Sequence, residues 1–429
     1  MRTLPEAFLS RLRTQLPSLY PALHDSLVYG APSRGLRVNT LKLPDGVSPL
    51  PGLKINPLCP DAGYLLPETS DAGKHPYHAA GLYYLQEPSA QAVGAVCPVA
   101  PGMRVLDLCA APGGKSTHLS ARLAHTGLLI SNECISSRAR VLAGNLERIG
   151  ARAYSVTTCM PDVLAAAVPG AFDLVLVDAP CSGEGMFRRE PRAVTEWSPE
   201  HAAACALRGR RILDCAARLV SPGGTLVYST CTYNPDENDG AITWLTETYP
   251  SFSVQTSRLL TPLDGGEGQY YAVLQNSDGV AGILPPCTLP SPDRAALAAF
   301  QSFWDNTFTI PPWYSPRILR DTVWLAPDAS LPQTLAYGVA AGMLRPGRFE
   351  PSHTLFLSIP AACIRRTLSF EPDDPALTAF FRGETLSCTL PAGYAAVCVN
   401  ALGKSFPVGF GKVSGGILKN KLPSGLRIR

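Results

Sequence analysis

The feature that most constrains this chain is a β-α-β-α alternation beginning at Met103. Residues 104–108 read as a buried strand, 116–123 as helix, 127–133 as strand and 137–149 as helix. Residues 172–178 form an uninterrupted apolar strand, 202–219 a long helix, 224–229 another strand and 269–274 a final edge strand. Such alternation predicts an α/β fold, a mostly parallel sheet with helices on both faces. In open sheets of this kind, ligands bind where the turns gather at the carboxyl ends of the strands. Three segments end in polar or Gly-rich turns there: 105–117, 178–183 and 228–233. One crevice is therefore expected to hold a glycine loop, an aspartate and two cysteines.

The flanking sequence adds smaller parts. At 429 residues, two or three domains are expected. Residues 1 to about 24 read as a short helix ended by Pro17, and 35–42 alternate like a half-buried strand. Arg37 and Lys42 on that strand fit surface charges as well as phosphate contacts. The reading is a small N-terminal α+β accessory domain over 1–80, the Rossmann-like domain over 81–278 and a linker and central region over 279–350. A C-terminal β-rich RNA-binding region follows over 351–429. From Ala401 that region carries Lys404, Lys412, Lys419, Lys421, Arg427 and Arg429 and no Asp or Glu, which suits a phosphate backbone.

Composition excludes several classes. A hydrophobic fraction of 46% with 17% charged residues describes a well-cored soluble protein. No apolar run approaches membrane-spanning length, and the first residues lack an apolar core of signal-peptide length. Thirteen cysteines without an export signal predict a reducing, cytoplasmic setting. No Cys-x-x-Cys or His-Glu-x-x-His occurs, so no metal site is expected. Cys215, on a helix, reads as a small buried hydrophobe.

The glycine loop, Cys109-Ala110-Ala111-Pro112-Gly113-Gly114-Lys115, leaves a strand and opens a helix. A P-loop needs Gly where Cys109 stands, and Pro112 removes an N–H that a phosphate would use. The dinucleotide fingerprint is also absent. The remaining candidate is S-adenosyl-L-methionine, which has no phosphate. Glu133, ending the second strand, is placed to hold ribose hydroxyls. Asp162 could hold the adenine amino group, or be an ordinary helix cap.

Cys181 and Cys231 suggest the chemistry. Carbon 5 of cytosine is a poor nucleophile, and a thiolate added at carbon 6 makes it enamine-like. An ordinary thiol is only slightly ionised at neutral pH, so the site must favour the thiolate. Asp178 could bond the N3–N4 edge of the base and stabilise charge developing on the ring, with Pro180 shaping the floor. Either cysteine alone reads as packing; both together beside a cofactor loop do not.

Asp107-Leu-Cys-Ala-Ala-Pro-Gly-Gly-Lys, Asp178-Ala-Pro-Cys-Ser-Gly and Ser229-Thr-Cys resemble the signature segments of the Sun-related RNA cytosine-5 methyltransferases. The resemblance implies Cys231 as the nucleophile and Cys181 as the group that assists product release. It also implies that Ala110 through Lys115, Glu133, Arg138 and Asp162 hold the cofactor, with Asp178 bordering both ligands. Gly35-Leu-Arg-Val-Asn-Thr, Arg348-Phe-Glu-Pro-Ser-His and Gly409-Phe-Gly-Lys resemble the bacterial small-subunit ribosomal RNA branch, which ends in a PUA-like RNA-binding module. Leu422-Pro423 departs from the Tyr-Pro more usual there. The expectation is methylation of cytosine carbon 5 in 16S ribosomal RNA, naked or in the small subunit, by a monomer. The base would be flipped from its stack to meet thiolate and sulfonium. Transfer RNA is an alternative substrate. A non-catalytic ribosome-assembly factor is an alternative of another class, against which Asp178, Cys181 and Cys231 argue.

Overall fold

The computed structural model describes residues 2–346 and 348–428. Arg429, counted above in the basic tail, lies outside the described residues. The organising element is an eight-stranded sheet. Its strand order is Phe252–Leu260, Gln269–Asn276, Val220–Thr230, Phe172–Asp178, Arg104–Asp107, Leu128–Asn132, Tyr154–Thr157 and Thr334–Tyr337. The inner strands, from Val220–Thr230 to Tyr154–Thr157, run parallel. Leu106, Ile130, Val175, Val177 and Leu226 pack against the helices on one face. Val105, Leu129, Leu174, Leu176 and Val227 pack on the other. The period-2 alternation of a strand sends neighbours to opposite faces, and both faces are covered, hence the unbroken apolar runs.

Two strands depart from the sequence reading. Gln269–Asn276 is not an edge: Phe252–Leu260 pairs outside it. The outer strand is exposed along Ser253–Arg258, where only Val254 is apolar. At the opposite edge, Thr334–Tyr337 pairs antiparallel with Tyr154–Thr157. It arrives from far along the chain, so no local pattern announces it.

The N-terminal part has two helices, Glu6–Gln15 and Tyr20–Tyr29, where one was expected, because Pro17 and the turn after it interrupt the run. Its four-stranded sheet runs Lys54–Ile55, Gly63–Leu65, Gly35–Val38, Tyr83–Leu85. The last of these strands comes after residue 80, so the small sheet extends past the boundary read from sequence. Arg37 is no surface charge: it is buried and donates from Nη2 to Thr117 Oγ1 at 2.7 Å. Beyond the linker, helix Arg294–Thr307 packs on a sheet of Pro316–Leu319, Thr322–Leu325, Val339–Arg345 and Arg348–Pro351. A five-stranded C-terminal sheet follows. That region is not strands and turns alone, since helices His353–Ser358 and Pro375–Arg382 lie within it.

The N-terminal helices brace the loops that follow two central strands. Phe8, Leu12, Leu23 and Leu27 form one core with Phe187, Trp197 and Tyr233. Arg11 pairs with buried Glu184 at 2.6 Å, and Glu184 also accepts from Trp197 Nε1 at 2.8 Å and from the Tyr233 N–H at 3.1 Å. Nearby, Arg188 and Glu267 form a buried ion pair at 2.7 Å, and Arg188 Nη2 also donates to the Gly266 carbonyl at 2.6 Å. Removing one partner strands a buried charge, so Arg188→Ala is expected to lower stability by about 3–5 kcal/mol. Arg188→Met/Glu267→Leu should recover most of that loss; urea denaturation of both variants checks it. Among the described residues, no helix is long and apolar enough to cross a membrane.

Candidate active site

Strands Phe172–Asp178 and Val220–Thr230 are parallel neighbours, with Asp178 opposite Ser229 in register. The turns leaving their carboxyl ends therefore start side by side. This brings Cys181 Sγ to 3.4 Å from Cys231 Sγ, while the Cys231 N–H donates to Cys181 Sγ at 3.3 Å. The separation is too long for a disulfide and suits two thiols in contact. Both side chains are partly exposed. Contact with the Cys231 sulfur, and then burial, push the Cys181 thiol well above its ordinary value, so Cys181 keeps its proton.

Asp178 lies at the same strand end. Its Oδ1 accepts from Ser229 Oγ at 2.7 Å and its Oδ2 from Lys115 Nζ at 2.7 Å. Burial pulls the Lys115 ammonium down, but Asp178, Cys231 and Asp107 together lift it above the ordinary lysine value. The resemblance assigned Lys115 to the cofactor; in the structure its ammonium pairs with Asp178. Pro180 is exposed beside this cluster.

The glycine loop leaves strand Arg104–Asp107 at the point where the sheet order reverses, between neighbours Phe172–Asp178 and Leu128–Asn132. Cys109, Ala110, Ala111 and Pro112 lead into Gly113, which caps helix Gly114–Leu123 with φ at 112°. A Cβ on Gly113 would meet Leu142 Cδ1 at 3.0 Å, so only glycine lets the loop turn here. The Ala110 N–H donates to the Asn132 carbonyl at 2.8 Å, tying the loop to the second strand. Just beyond, buried Glu133 pairs with Arg138 at 3.1 Å, and Arg138 Nη2 donates to the Ala111 carbonyl at 3.0 Å. Glu133 and Arg138 thus brace the loop from one side.

Asp162 is exposed in the first turn of helix Pro161–Ala167, whose cap position is Met160. It makes no cap, and it is not drawn into the hydrogen-bonded cluster around Asp178. Sequence reasoning passed over Asp107 as a functional group. It is fully buried; its Oδ2 accepts from Ser116 Oγ at 2.7 Å, and its Oδ1 has no hydrogen-bond partner. Burial lifts its carboxyl to about 7, and Asp178 adds to the shift. A polar residue ending an otherwise apolar strand was the available signal. Glu237 was also missed. It accepts from the Ser182 N–H at 2.8 Å and holds the turn carrying Cys181.

The four lysines divide. Lys412 and Lys419 are opposite each other on adjacent strands, with Lys421 just beyond, and Lys412 stands 5.5 Å over the Tyr394 ring. Lys404 lies at the other end of strand Lys404–Ser414, away from them. All four are exposed. Among the described residues, no group of three His, Cys, Asp or Glu is arranged to hold a metal ion.

Comparison with known proteins agrees with this architecture. Residues 4–88 match the family described as the N-terminal domain of 16S rRNA methyltransferase RsmF. Residues 97–280 match 16S rRNA methyltransferase RsmB/F, and residues 367–428 match the methyltransferase RsmF PUA domain. Ribosomal RNA small subunit methyltransferase F of Escherichia coli is 39% identical over 264 residues, 57% of this chain and 54% of that protein. The protein of the same name from Shigella sonnei matches to the same extent, 39% over 264 residues with the same 57% and 54% shares. The chain spans about half the length of the curated relatives it matches. A methyltransferase homolog from Pyrococcus horikoshii shares the fold, with TM-score 0.55, 24% identity, and coverage of 63% of this chain and 95% of that one. So does NSun6 from Pyrococcus horikoshii, solved with SFG, with TM-score 0.53, 17% identity, and coverage of 64% and 99%. With its N-terminal, Rossmann-like and PUA parts matched in order along the sequence, the chain belongs to the RsmB/F family of methyltransferases.

Proposed function

We propose that this chain methylates carbon 5 of a cytosine in small-subunit ribosomal RNA, with S-adenosyl-L-methionine as donor, acting as a cytoplasmic monomer. The observation that carries the reading is the contact of two thiols at 3.4 Å beside the Asp178–Lys115 pair. The names of the Escherichia coli and Shigella sonnei relatives favour ribosomal over transfer RNA.

The residues fit the donor. Asp107 Oδ1 is a buried acceptor without a partner at the loop's base, suited to the cationic methionine end. Glu133 suits ribose hydroxyls, Asp162 the adenine edge, and Ala110 through Lys115 the close backbone approach. When bound, the donor supplies an electrophilic methyl group on a sulfonium.

The chain's own residues do the rest. Cys231 adds as thiolate to carbon 6 of the flipped base, and the electron pair moves into the ring toward carbon 5. Asp178, held by Lys115 and Ser229, binds the N3–N4 edge and steadies charge on the ring. After methylation, the proton on carbon 5 passes to solvent water, its bonding pair reforms the double bond, and the C6–S pair leaves with the Cys231 sulfur. Cys181 carries a proton against the Cys231 sulfur and assists that departure. Exposed Lys404, Lys412, Lys419 and Lys421 would contact phosphates.

The test is transfer of labelled methyl to purified 16S RNA, small subunits and bulk transfer RNA, followed by bisulfite mapping. Label at a cytosine of small-subunit RNA is expected. Label on transfer RNA alone would change the substrate, and label away from cytosine carbon 5 would defeat the mechanism.

A further inference from the structure

A second cavity lies at the opposite end of the central sheet from the cysteines. Its volume is about 600 Å³, within the range of small-ligand sites. Arg152 and His125 border it just ahead of strands Tyr154–Thr157 and Leu128–Asn132, so they sit at the amino ends. The N-terminal part contributes Lys42, and the C-terminal sheet contributes Lys404, Phe406 and Pro407. The cavity is thus built where three parts of the chain meet.

Its chemistry is one-sided. Lys42, Arg152 and Lys404 line it, and none of its lining residues is Asp or Glu. The two inner cations have only backbone acceptors: Lys42 Nζ donates to the Ala80 carbonyl at 2.6 Å, and Arg152 Nη2 to the Ser358 carbonyl at 2.6 Å. Burial first, and then Arg148, bring the Lys42 ammonium down to about 7, as crowding of cations without a counter-ion does. His125 Nδ1 is buried with no partner. An anion would relieve the crowding. The volume exceeds that of a lone phosphate, and Ile359, Phe406 and Pro407 add an apolar wall. Phosphate on one side and a flat apolar body on the other describe a nucleotide.

We propose that this cavity binds a nucleoside phosphate, with its phosphate on Lys42, Arg152 and Lys404 and its base against Phe406. The nucleotide is either free or a unit of an RNA chain passing beneath the sheet. Because the cavity is remote from Cys181 and Cys231, the ligand is not the target base. The proposal does not depend on the methylation chemistry.

Calorimetric titration of the full chain with uridine 5′-monophosphate and with octauridylate tests it, in Lys42→Met, Lys404→Glu and, as control, Lys54→Glu. Lys404 and Lys54 are exposed, so their reversals should leave the fold intact, and thermal melting checks Lys42→Met. Lys404→Glu and Lys42→Met are each expected to weaken binding about tenfold or more relative to the control. That pattern with the mononucleotide identifies a free nucleotide as ligand; with octauridylate alone it identifies RNA. If neither probe distinguishes the cavity variants from Lys54→Glu, the proposal is overturned.

Discussion

A Cys231→Ala variant is expected to lose methyl transfer to RNA by about 10⁴-fold or more while still binding S-adenosyl-L-methionine. The size follows from the chemistry. Carbon 5 of cytosine cannot take a methyl group at a useful rate until a nucleophile has added at carbon 6, and alanine supplies none. Cys181, 3.4 Å away in the parent, is not expected to substitute: burial still disfavours its thiolate once the Cys231 sulfur is gone. The fold should tolerate the change, since Cys231 is partly exposed and its backbone N–H, which donates to Cys181, remains. Methyl-transfer rates and donor affinity, measured on the same preparation, separate lost chemistry from lost folding. Retention of a tenth of the wild-type rate would remove Cys231 from the mechanism.

Asp178→Asn is expected to lower kcat by roughly 10²–10³-fold, the scale of one lost charge-stabilising partner, with a smaller change in KM for RNA. Asparagine keeps the shape but not the charge. It also removes the negative charge that does most to offset the burial of Lys115, whose Nζ sits 2.7 Å from Asp178 Oδ2. The Lys115 ammonium, raised in the parent protein, should then fall. As pH rises, Lys115 in the variant should lose its proton earlier, and the residual rate should decline at a lower pH than in the parent. An unchanged alkaline limb would mean that the ion pair does not tune the site. Arginine at 115 should restore part of the alkaline limb, because guanidinium stays charged.

The convergence at this site was legible because its cause is local and repetitive. Asp178 and Ser229 end neighbouring apolar strands in register, so the residues just after them meet, and a linear reading can foresee that. The pairing of Lys115 with Asp178 was not legible: loop composition says where a lysine sits, and only the packed sheet brings it to a carboxylate 63 residues away. Asp107 was hidden in plain view, one polar residue at the end of an apolar strand, where it reads as a boundary. At the sheet edges, Phe252–Leu260 escaped because its exposed face carries no alternation, and Thr334–Tyr337 because its partner is remote in sequence. Arg37 shows the same limit in reverse: an arginine between apolar neighbours looked exposed, yet Thr117 and the glycine-loop helix bury it. The division of labour between the cysteines came from the family resemblance rather than from their spacing. Spacing does not show that the two sulfurs touch; that contact, together with burial, raises the Cys181 thiol, while the Cys231 N–H opposes the rise.

Incubation of Cys181→Ala with substrate RNA and S-adenosyl-L-methionine, followed by denaturing electrophoresis, asks most directly whether Cys231 bonds to the base and Cys181 frees it. A protein–RNA species that survives denaturation, and that vanishes in Cys181→Ala/Cys231→Ala, is the expected result. Free protein and fully methylated RNA from the single variant, with turnover undiminished, would contradict it.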